Sequence, residues 1–276
     1  MNKTSAALKA LRLLLPAALI FALASPLFAR GARAGGSTGA LVVGATANPH
    51  AILLNLVKPD LAAQGIDLRV IEFADYVVPN TALISGDLDA NFFQHIPYLE
   101  SNSEWSAALA NAFGVHVEPF GLYSGKIKSI SELKDGSTIA IPNDPSNGGR
   151  ALLLLQANGL ITLKSGAGIT ATPLDIDSNP KNLRFRELEA AQLPRALADV
   201  DAATINGNYA LEAGLNPTRD SLIIEGAQSP YVNIVVVRKG FENDPRIQAL
   251  KTALRSQKVK DYITANYSDG SVVAIF

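Results

Sequence analysis

Short apolar runs alternate with helical segments along most of this chain, and that alternation restricts its fold more than any other feature. GALVVGA (39–45) and STIAIP (137–142) have the length and composition of buried strands, and QLPRALADV (192–200) has the spacing of a helix. Strands that alternate with helices are typical of α/β domains with parallel sheets. The sequence therefore predicts an α/β fold. Its composition, with 48% hydrophobic and 18% charged residues, is that of a globular protein.

The alternation starts afresh near residue 129, which predicts two lobes. No low-complexity linker separates them, so we expect two extended crossovers, one near 116–124 and one near 228–236. The predicted lobe 1 comprises residues 39–118 and 232–276, and the predicted lobe 2 comprises residues 119–231. Ligands of such folds bind in a cleft between the lobes, near the C-terminal ends of strands and the N-termini of helices.

Apolar spacing also places individual elements. We expect a short helix over 79–88 and another within ANFFQHIPYLESNSEWSAAL (90–109). The β-branched segment 229–240 predicts a strand. The C-terminal segment 244–267 is amphipathic at helical spacing throughout, which predicts a single long final helix.

The first 34 residues have the composition of a secretory signal peptide. Three basic residues precede an apolar run of 17 residues (13–29), and ARA (32–34) fits the small-residue pattern before a cleavage site. The alternative is a retained membrane anchor, because the run nearly spans a bilayer. Two prolines in the run and the small residues after it favour cleavage after Ala34, so we expect an exported protein.

The remainder of the chain is acidic. Residues 1–34 hold five of the 24 basic residues and none of the acidic ones, which leaves 19 basic and 25 acidic residues. No basic patch is evident, so nucleic acid is not an expected partner. The sequence contains no cysteine, which excludes disulfides, thiolate metal sites and a lipid-modified cysteine.

The segment IPNDPSNGGRALLLLQ (141–156) joins a predicted strand to a predicted helix and has the features of an anion site. Asp144 is a candidate N-cap, and Asn147 and Arg150 project from the same face of the first turns. A nucleotide-binding Walker loop needs a lysine after its last glycine, and here Arg150 follows Gly149. The helix dipole and a guanidinium suit a carboxylate as well as a phosphate.

Two glycines in this segment are unusual inside a helix. Gly148 and Gly149 each cost about 1 kcal/mol relative to alanine, which indicates that something approaches the backbone closely. The alternative interpretation is a plain capped helix with a surface arginine. The segment thus predicts an anion without identifying it.

The sequence has no recognisable catalytic or metal-binding set. His50, His95 and His116 lie in separate elements, and none has a partner at metal-ligand spacing. We interpret His50 as a surface or capping residue. His95 is interpreted as a packing residue among aromatic side chains, with a ligand role as the alternative. Without a nucleophile elbow, a thiol or a shifted acid–base pair, no catalysis, metal or cofactor is expected.

Four long segments of the chain together resemble one known family. They are FADYVVPNTALISGDLDANFFQHIPYL (73–99), AIPNDPSNGGRALLLLQANGLI (140–161), NPKNLRFRELEAAQLPRAL (179–197) and SPYVNIVVV (229–237). They are similar to the methionine-binding proteins of bacterial ABC importers, the NlpA/MetQ-type lipoprotein family, over residues 40–276. The resemblance implies a two-lobed periplasmic binding protein of type II-like architecture. Such a protein closes on an amino acid, usually methionine, and delivers it as a monomer to an ABC transporter permease in the inner membrane.

The resemblance also implies a set of ligand-binding residues. Arg150 and Asn147 would hold the ligand carboxylate, and Asn206 and Asn233 would contact its amino and carboxylate groups. An aromatic wall with one histidine would surround the ligand side chain, and sulfur–ring contacts would suit a thioether. The implied wall residues are Phe73, Tyr76, Phe93, His95 and Tyr98.

The sequence departs from the family pattern in three places. The lipid-anchored cysteine of the family is absent, so we expect a soluble periplasmic form. Phe92 and the Gly148–Gly149 pair stand where other residues are usual, which leaves another amino acid or a methionine-containing dipeptide as alternative ligands. An exported enzyme that acts on an anionic substrate is the alternative from a different class.

Overall fold

The structure is a computed structural model that describes residues 39–226 and 229–276. The predicted signal peptide, residues 1–34, lies outside the described residues. The strands are β1 Ala40–Ala45, β2 Asp67–Glu72, β3 Ala90–His95, β4 Leu109–Val117, β5 Gly121–Tyr123, β6 Thr138–Pro142, β7 Thr162–Leu163, β8 Ile176–Ser178, β9 Arg184–Leu188, β10 Ala202–Ile205, β11 Ser221–Ile224, β12 Val232–Arg238 and β13 Val273–Ala274. The α-helices are α1 Ile52–Ala62, α2 Val78–Ser85, α3 Ile96–Glu100, α4 Ser103–Ala108, α5 Pro145–Ala157, α6 Leu193–Ala196, α7 Gly207–Glu212, α8 Pro217–Asp220, α9 Pro245–Leu254 and α10 Gln257–Asn266.

The larger sheet has six strands in the order β13-β4-β12-β3-β1-β2. β1 runs parallel to β2 and β3, whereas β12 runs antiparallel to both β3 and β4. Residues 233–237 of β12 are all buried, as expected for a central strand that is covered on both faces. The sheet is therefore mixed rather than parallel throughout, because β12 enters it from the second crossover in the opposite direction.

The smaller sheet has five strands in the order β11-β5-β10-β6-β9. β6 runs parallel to β9 and β10, and β5 runs antiparallel to both of its neighbours. Helix α5 covers this sheet, and its Leu152 and Leu155 are fully buried in one core with Ile139 and Ile141 of β6. Each buried side chain of this size contributes about 1.5–3 kcal/mol, so this packing holds the first turn of α5 at the carboxyl end of β6.

The chain passes between the two sheets twice. Residues 118–120 lead from β4 into β5, and the chain returns between Ile224 of β11 and Val232 of β12. We call the larger sheet with its helices lobe 1 and the smaller sheet with its helices lobe 2. The predicted two-lobed α/β architecture with two crossovers is confirmed, while the exact lobe boundaries stay a prediction.

The structure locates one predicted helix more narrowly and divides another. Residues 90–95 form strand β3, in which all six side chains are buried, and helices α3 and α4 follow it. The C-terminal segment 244–267 forms two helices, because Ser256 caps a new helix by accepting a hydrogen bond from the backbone amide of Val259. The apolar spacing of residues 244–267 continues across this break, so the sequence pattern did not indicate it.

Candidate functional site

A cavity lies between the two lobes. Lobe 1 and the first crossover contribute Tyr76, Phe93, Gln94, His95, Tyr98, Glu118 and Asn233. Lobe 2 contributes Asn147, Arg150, Asn206, Gly207 and Asn208.

Several of the lining residues follow directly from strand ends. His95 ends β3 and caps α3, and Asn206 follows β10 at the N-cap position of α7, where its side chain makes no capping hydrogen bond. Asn147 and Arg150 lie in the first turns of α5, which follows β6. The carboxyl ends of strands and the beginnings of helices thus meet at the cavity, as predicted for ligand sites of α/β folds.

A chain of hydrogen bonds fixes the orientation of the amides at the start of α5. The Asp144 carboxylate accepts bonds from the backbone amide and the side-chain Nδ2 of Asn147, at 2.8 and 3.0 Å. Asn147 Oδ1 must then be an acceptor, and it accepts a hydrogen bond from Asn206 Nδ2 at 2.8 Å. His95 Nδ1 accepts a hydrogen bond from the backbone amide of Tyr98, so the proton of the neutral ring lies on Nε2. His95 Nε2 therefore donates to Asn147 Oδ1 at 3.3 Å.

This orientation leaves polar atoms without partners on the wall of the cavity. Asn206 Oδ1, an acceptor, and Asn208 Nδ2, a donor, are both buried and have no hydrogen-bond partner among the described residues. Buried polar atoms are usually paired in folded proteins. The cavity therefore presents one open acceptor and one open donor to a ligand.

Arg150 is buried, and two aromatic rings lie close to its guanidinium. The centroid of Tyr231 lies 4.0 Å and that of Phe120 4.9 Å from its Cζ atom. Its Nε and Nη2 donate to the Glu225 carboxylate at 2.7 and 2.5 Å, and Nη2 also donates to the Glu118 carbonyl at 3.1 Å. Nη1 makes no hydrogen bond to the described residues, so Arg150 still has a donor for an anion in the cavity.

Aromatic side chains form another part of the lining, which we call the aromatic wall. The rings of Tyr76, Phe93 and Tyr98 lie 5.7–6.0 Å apart between centroids, at angles typical of edge and tilted contacts. Phe73, which the resemblance also implied, does not line the cavity. It packs beside Gly44, where an added Cβ would lie 2.8 Å from the Phe73 ring.

The structure explains the two glycines of α5 without a ligand. A Cβ on Gly149 would lie 2.2 Å from the Ile169 carbonyl oxygen, and one on Gly148 would lie 3.0 Å from the Pro142 carbonyl oxygen. The expectation of a close approach to the backbone is correct at Gly149, and the approaching group is the backbone of the chain itself. The glycines therefore carry no information about the ligand.

His50, His116 and Glu118 form a buried polar cluster beside the cavity. His116 Nε2 lies 2.7 Å and His50 Nε2 3.4 Å from Glu118 Oε1, and His50 also bonds to Asn233 Oδ1 at 3.0 Å. The interpretation of His50 as a surface residue is wrong, because it is 1% exposed. The ligating atoms lie within 4.8 Å of one another, so this donor set could also hold a metal ion such as Zn²⁺.

Burial dominates the protonation of this cluster. It lowers the pKa of His50 to about 4, against the opposing charge of Glu118, and it lowers the pKa of His116 to about 3. Burial also raises the pKa of Glu118, while the charges of His50 and Arg150 and the backbone amide of Asn208 lower it. Both histidines are neutral at physiological pH, and each Nε2 faces the carboxylate as a donor.

The structure brings eight of the nine implied site residues to one cavity: Arg150, Asn147, Asn206, Asn233, Tyr76, Phe93, His95 and Tyr98. Sequence reasoning missed Gln94, Glu118, Gly207 and Asn208. Glu118 could have been found as the one acid in the apolar segment HVEPF (116–120), where a crossover was already expected. Gly207 and Asn208 directly follow Asn206, so the beginning of α7 was a further signal.

None of the helices in residues 39–226 and 229–276 has the length and apolar character needed to cross a bilayer.

Two lobes around a buried polar and aromatic cavity define the class of substrate-binding proteins, and comparison with known proteins identifies the family. The NlpA lipoprotein family matches residues 41–276, so the chain belongs to the NlpA lipoprotein family. The methionine-binding lipoprotein MetQ of Bacillus subtilis is 41% identical over 266 residues, covering 94% of this chain and 97% of that protein. The membrane lipoprotein TpN32 of Treponema pallidum is 44% identical over 231 residues, covering 83% and 86%.

Solved structures agree with this family. A nutrient-binding protein of Burkholderia cenocepacia bound to methionine has a TM-score of 0.82 and 48% identity, covering 86% of this chain and all of that one.

The relatives are called lipoproteins, which implies a lipid anchor and differs from the soluble form expected from the absence of cysteine.

Proposed function

We propose that this protein binds methionine in the cavity between its lobes and delivers it to an ABC transporter permease. The observation that carries the proposal is the presence of both polar groups and aromatic rings in the lining of one cavity. Arg150, Asn206 and Asn208 present open donors and an acceptor, and the rings of Tyr76 and Phe93 line the same cavity.

The polar groups match the carboxylate and ammonium groups of methionine, and the aromatic rings match its thioether. A charge-assisted hydrogen bond to a carboxylate or an ammonium group contributes about 1.5–3 kcal/mol. Contacts between a thioether sulfur and an aromatic ring add about 0.3–1.5 kcal/mol each. Relatives that are named for methionine binding, and one that was solved with methionine bound, support the same ligand.

A methionine-containing dipeptide is one alternative ligand. Another amino acid is the other. We propose no catalytic role, since the relatives are named as binding proteins. We further propose a monomer in the periplasm, with lobes of residues 39–118 plus 232–276 and of residues 119–231.

Calorimetric titration of the purified protein tests the ligand. Methionine should bind more tightly than alanine, glutamate or a Met-Met dipeptide, and native mass spectrometry should detect co-purified methionine. Tighter binding of any other ligand in this set would replace methionine as the assignment. Cell fractionation tests the localisation, and recovery of the protein only with membranes would contradict a soluble periplasmic form.

A further inference from the structure

Glu225 does not line the cavity, but its carboxylate binds one edge of the Arg150 guanidinium. Oε1 accepts from Arg150 Nε at 2.7 Å, and Oε2 accepts from Nη2 at 2.5 Å. Nη2 also donates to the Glu118 carbonyl oxygen at 3.1 Å. A guanidinium has five N–H bonds, and these contacts use three of them. The two that remain belong to Nη1, so this arrangement leaves Nη1 as the end of Arg150 that can bind an anion.

Glu225 is itself fixed by both crossovers. It follows β11 directly, and its backbone amide donates to the carbonyl oxygen of Phe120, which precedes β5, at 2.8 Å. The Phe120 amide in turn donates to Glu225 Oε2 at 3.4 Å. Ser229, on the second crossover, donates its hydroxyl to the same oxygen at 3.3 Å. The position of the carboxylate is therefore set by the chain around it.

The two aromatic rings near Arg150 do not determine how its guanidinium is rotated. Tyr231 and Phe120 lie 4.0 and 4.9 Å from Cζ, and a ring face attracts the positive charge as a whole. A carboxylate that accepts two parallel N–H bonds fixes the rotation, because both bonds must be made at once. Glu225 is therefore the contact that keeps Nε and Nη2 engaged and Nη1 free.

We propose that Glu225 is a positioning residue for ligand binding, which acts through Arg150 by presenting Nη1 to the ligand carboxylate. This assignment rests on the proposed function, because it requires a ligand with a carboxylate. The negative charge of Glu225 also repels that carboxylate, so loss of Glu225 has two opposite effects. Burial favours the positioning effect. Arg150 is 4% exposed, so without Glu225 its Nε would be left without an acceptor, and the guanidinium would turn towards another one.

The test compares methionine with methioninamide, in which an amide replaces the carboxylate. Glu225→Gln keeps the shape of the side chain and replaces one acceptor oxygen by a donor, which cannot accept from the guanidinium. The dissociation constant of methionine should rise at least about tenfold. That of methioninamide should rise less than about threefold, because this ligand has no carboxylate for Arg150 to bind. Calorimetric titration measures both.

A second comparison shows whether Glu225 acts through Arg150. In an Arg150→Ala background there is no guanidinium to orient, so the further change Glu225→Gln should not weaken methionine binding again. A purely structural role of Glu225 would instead reduce the affinity in both backgrounds by the same factor. A second loss of about tenfold in the double variant would therefore overturn the assignment.

The matched control is Glu187→Gln, which removes an exposed acid of β9 in lobe 2 and should leave both affinities unchanged. If Glu225→Gln weakens the two ligands equally, weakens neither, or strengthens methionine binding, the assignment is wrong even though methionine binds. If the wild type binds a different amino acid, the same comparison is made with that amino acid and its amide. If the wild type binds no amino acid, the proposed function fails, and this assignment fails with it.

Should Glu225→Gln fail to fold, Glu225→Asp provides the remaining test. It keeps the negative charge and withdraws the carboxylate from the guanidinium, so it should weaken methionine binding more than methioninamide binding. Equal losses would overturn the assignment.

Discussion

The hydroxyl of Tyr76 donates a 2.6 Å hydrogen bond to the side-chain oxygen of Asn208, and this bond joins lobe 1 to lobe 2. The Tyr76 ring also stacks on that of Tyr209, with the centroids 4.9 Å apart. The Tyr209 hydroxyl in turn donates to the Ala74 carbonyl at 3.2 Å. These contacts join the two lobes beside the cavity, whose lining includes Tyr76 and Asn208.

Tyr76→Phe should weaken ligand binding through closure. The change removes one interlobe hydrogen bond and keeps the ring stack, so we expect the dissociation constant to rise about fivefold, equivalent to about 1 kcal/mol. The loss should be equal for methionine and alanine, because closure acts on both. Tyr123→Phe is the matched control, since the buried Tyr123 hydroxyl has no hydrogen-bond partner among the described residues. A loss confined to methionine would show that the hydroxyl acts on the ligand side chain instead.

Arg150→Ala should weaken methionine binding at least about tenfold and leave the fold intact. The change removes the guanidinium that faces the cavity, and the partly exposed Glu225 can be hydrated in its place. Calorimetry measures the affinity, and circular dichroism checks the fold. Arg69→Ala, which removes an exposed arginine of β2, serves as the control. Unchanged affinity of the Arg150 variant would remove this residue from the site.

Phe93→Ala should reduce the affinity for methionine more than the affinity for alanine. Phe93 is 4% exposed and belongs to the aromatic wall, so its loss removes contacts that only a long ligand side chain can make. We expect the ratio of the two affinities to fall by about tenfold, given the worth of burying a side chain of this size. Equal losses for the two ligands in parallel titrations would place Phe93 outside the side-chain pocket.

Gly149→Ala should destabilise lobe 2, although alanine is the better helix former. The new Cβ would lie 2.2 Å from the Ile169 carbonyl oxygen. Overpacking of this kind costs about 1–3 kcal/mol. Gly168→Ala, in the same loop as Ile169, has nothing within 4 Å of its Cβ and should change the free energy of unfolding by less than about 0.5 kcal/mol. Urea unfolding of both variants checks the difference, and equal stabilities would contradict the packing argument.

The buried histidines should make the protein sensitive to acid. Folding lowers the pKa of His50 to about 4 and that of His116 to about 3, whereas an unfolded histidine titrates near about 6.5. As the pH falls below about 6.5, the unfolded chain binds protons that the folded protein does not, so stability falls by up to about 1.4 kcal/mol per pH unit for each histidine. The raised pKa of Glu118 opposes this trend, since the folded protein then binds a proton before the unfolded chain does.

Urea unfolding of the wild type and of His116→Gln at several pH values measures this effect. The variant lacks one titrating group, so its free energy of unfolding should depend less steeply on pH. Identical slopes would show that His116 does not contribute to the acid sensitivity.

The parts of the site that local sequence determines could be predicted. The cap at Asp144, the helix that follows it and the shared face of Asn147 and Arg150 all depend on residues within one or two turns, and the structure contains each of them. The resemblance supplied the aromatic wall, with Phe73 as the residue that lies elsewhere.

The cluster around Glu118 could not be predicted in this way, because it depends on strand register. β12 pairs with β3 on one side and β4 on the other, which places Asn233 opposite both His95 and His116. His50 reaches the same point from the segment that precedes α1, and its Nε2 bonds to Asn233. The spacing of residues within any one segment does not predict that these distant segments contact each other.

The interlobe contacts of Tyr76 and Tyr209 have a consequence for the speed of capture. If a ligand enters only while these contacts are broken, the association rate constant is proportional to the fraction of molecules that are open at any moment. Strengthening the contacts would slow release. It would also lower the open fraction, and the association rate constant would fall by the same factor. A cell with scarce ligand would therefore be served best by a protein whose lobes hold together only moderately well when the cavity is empty.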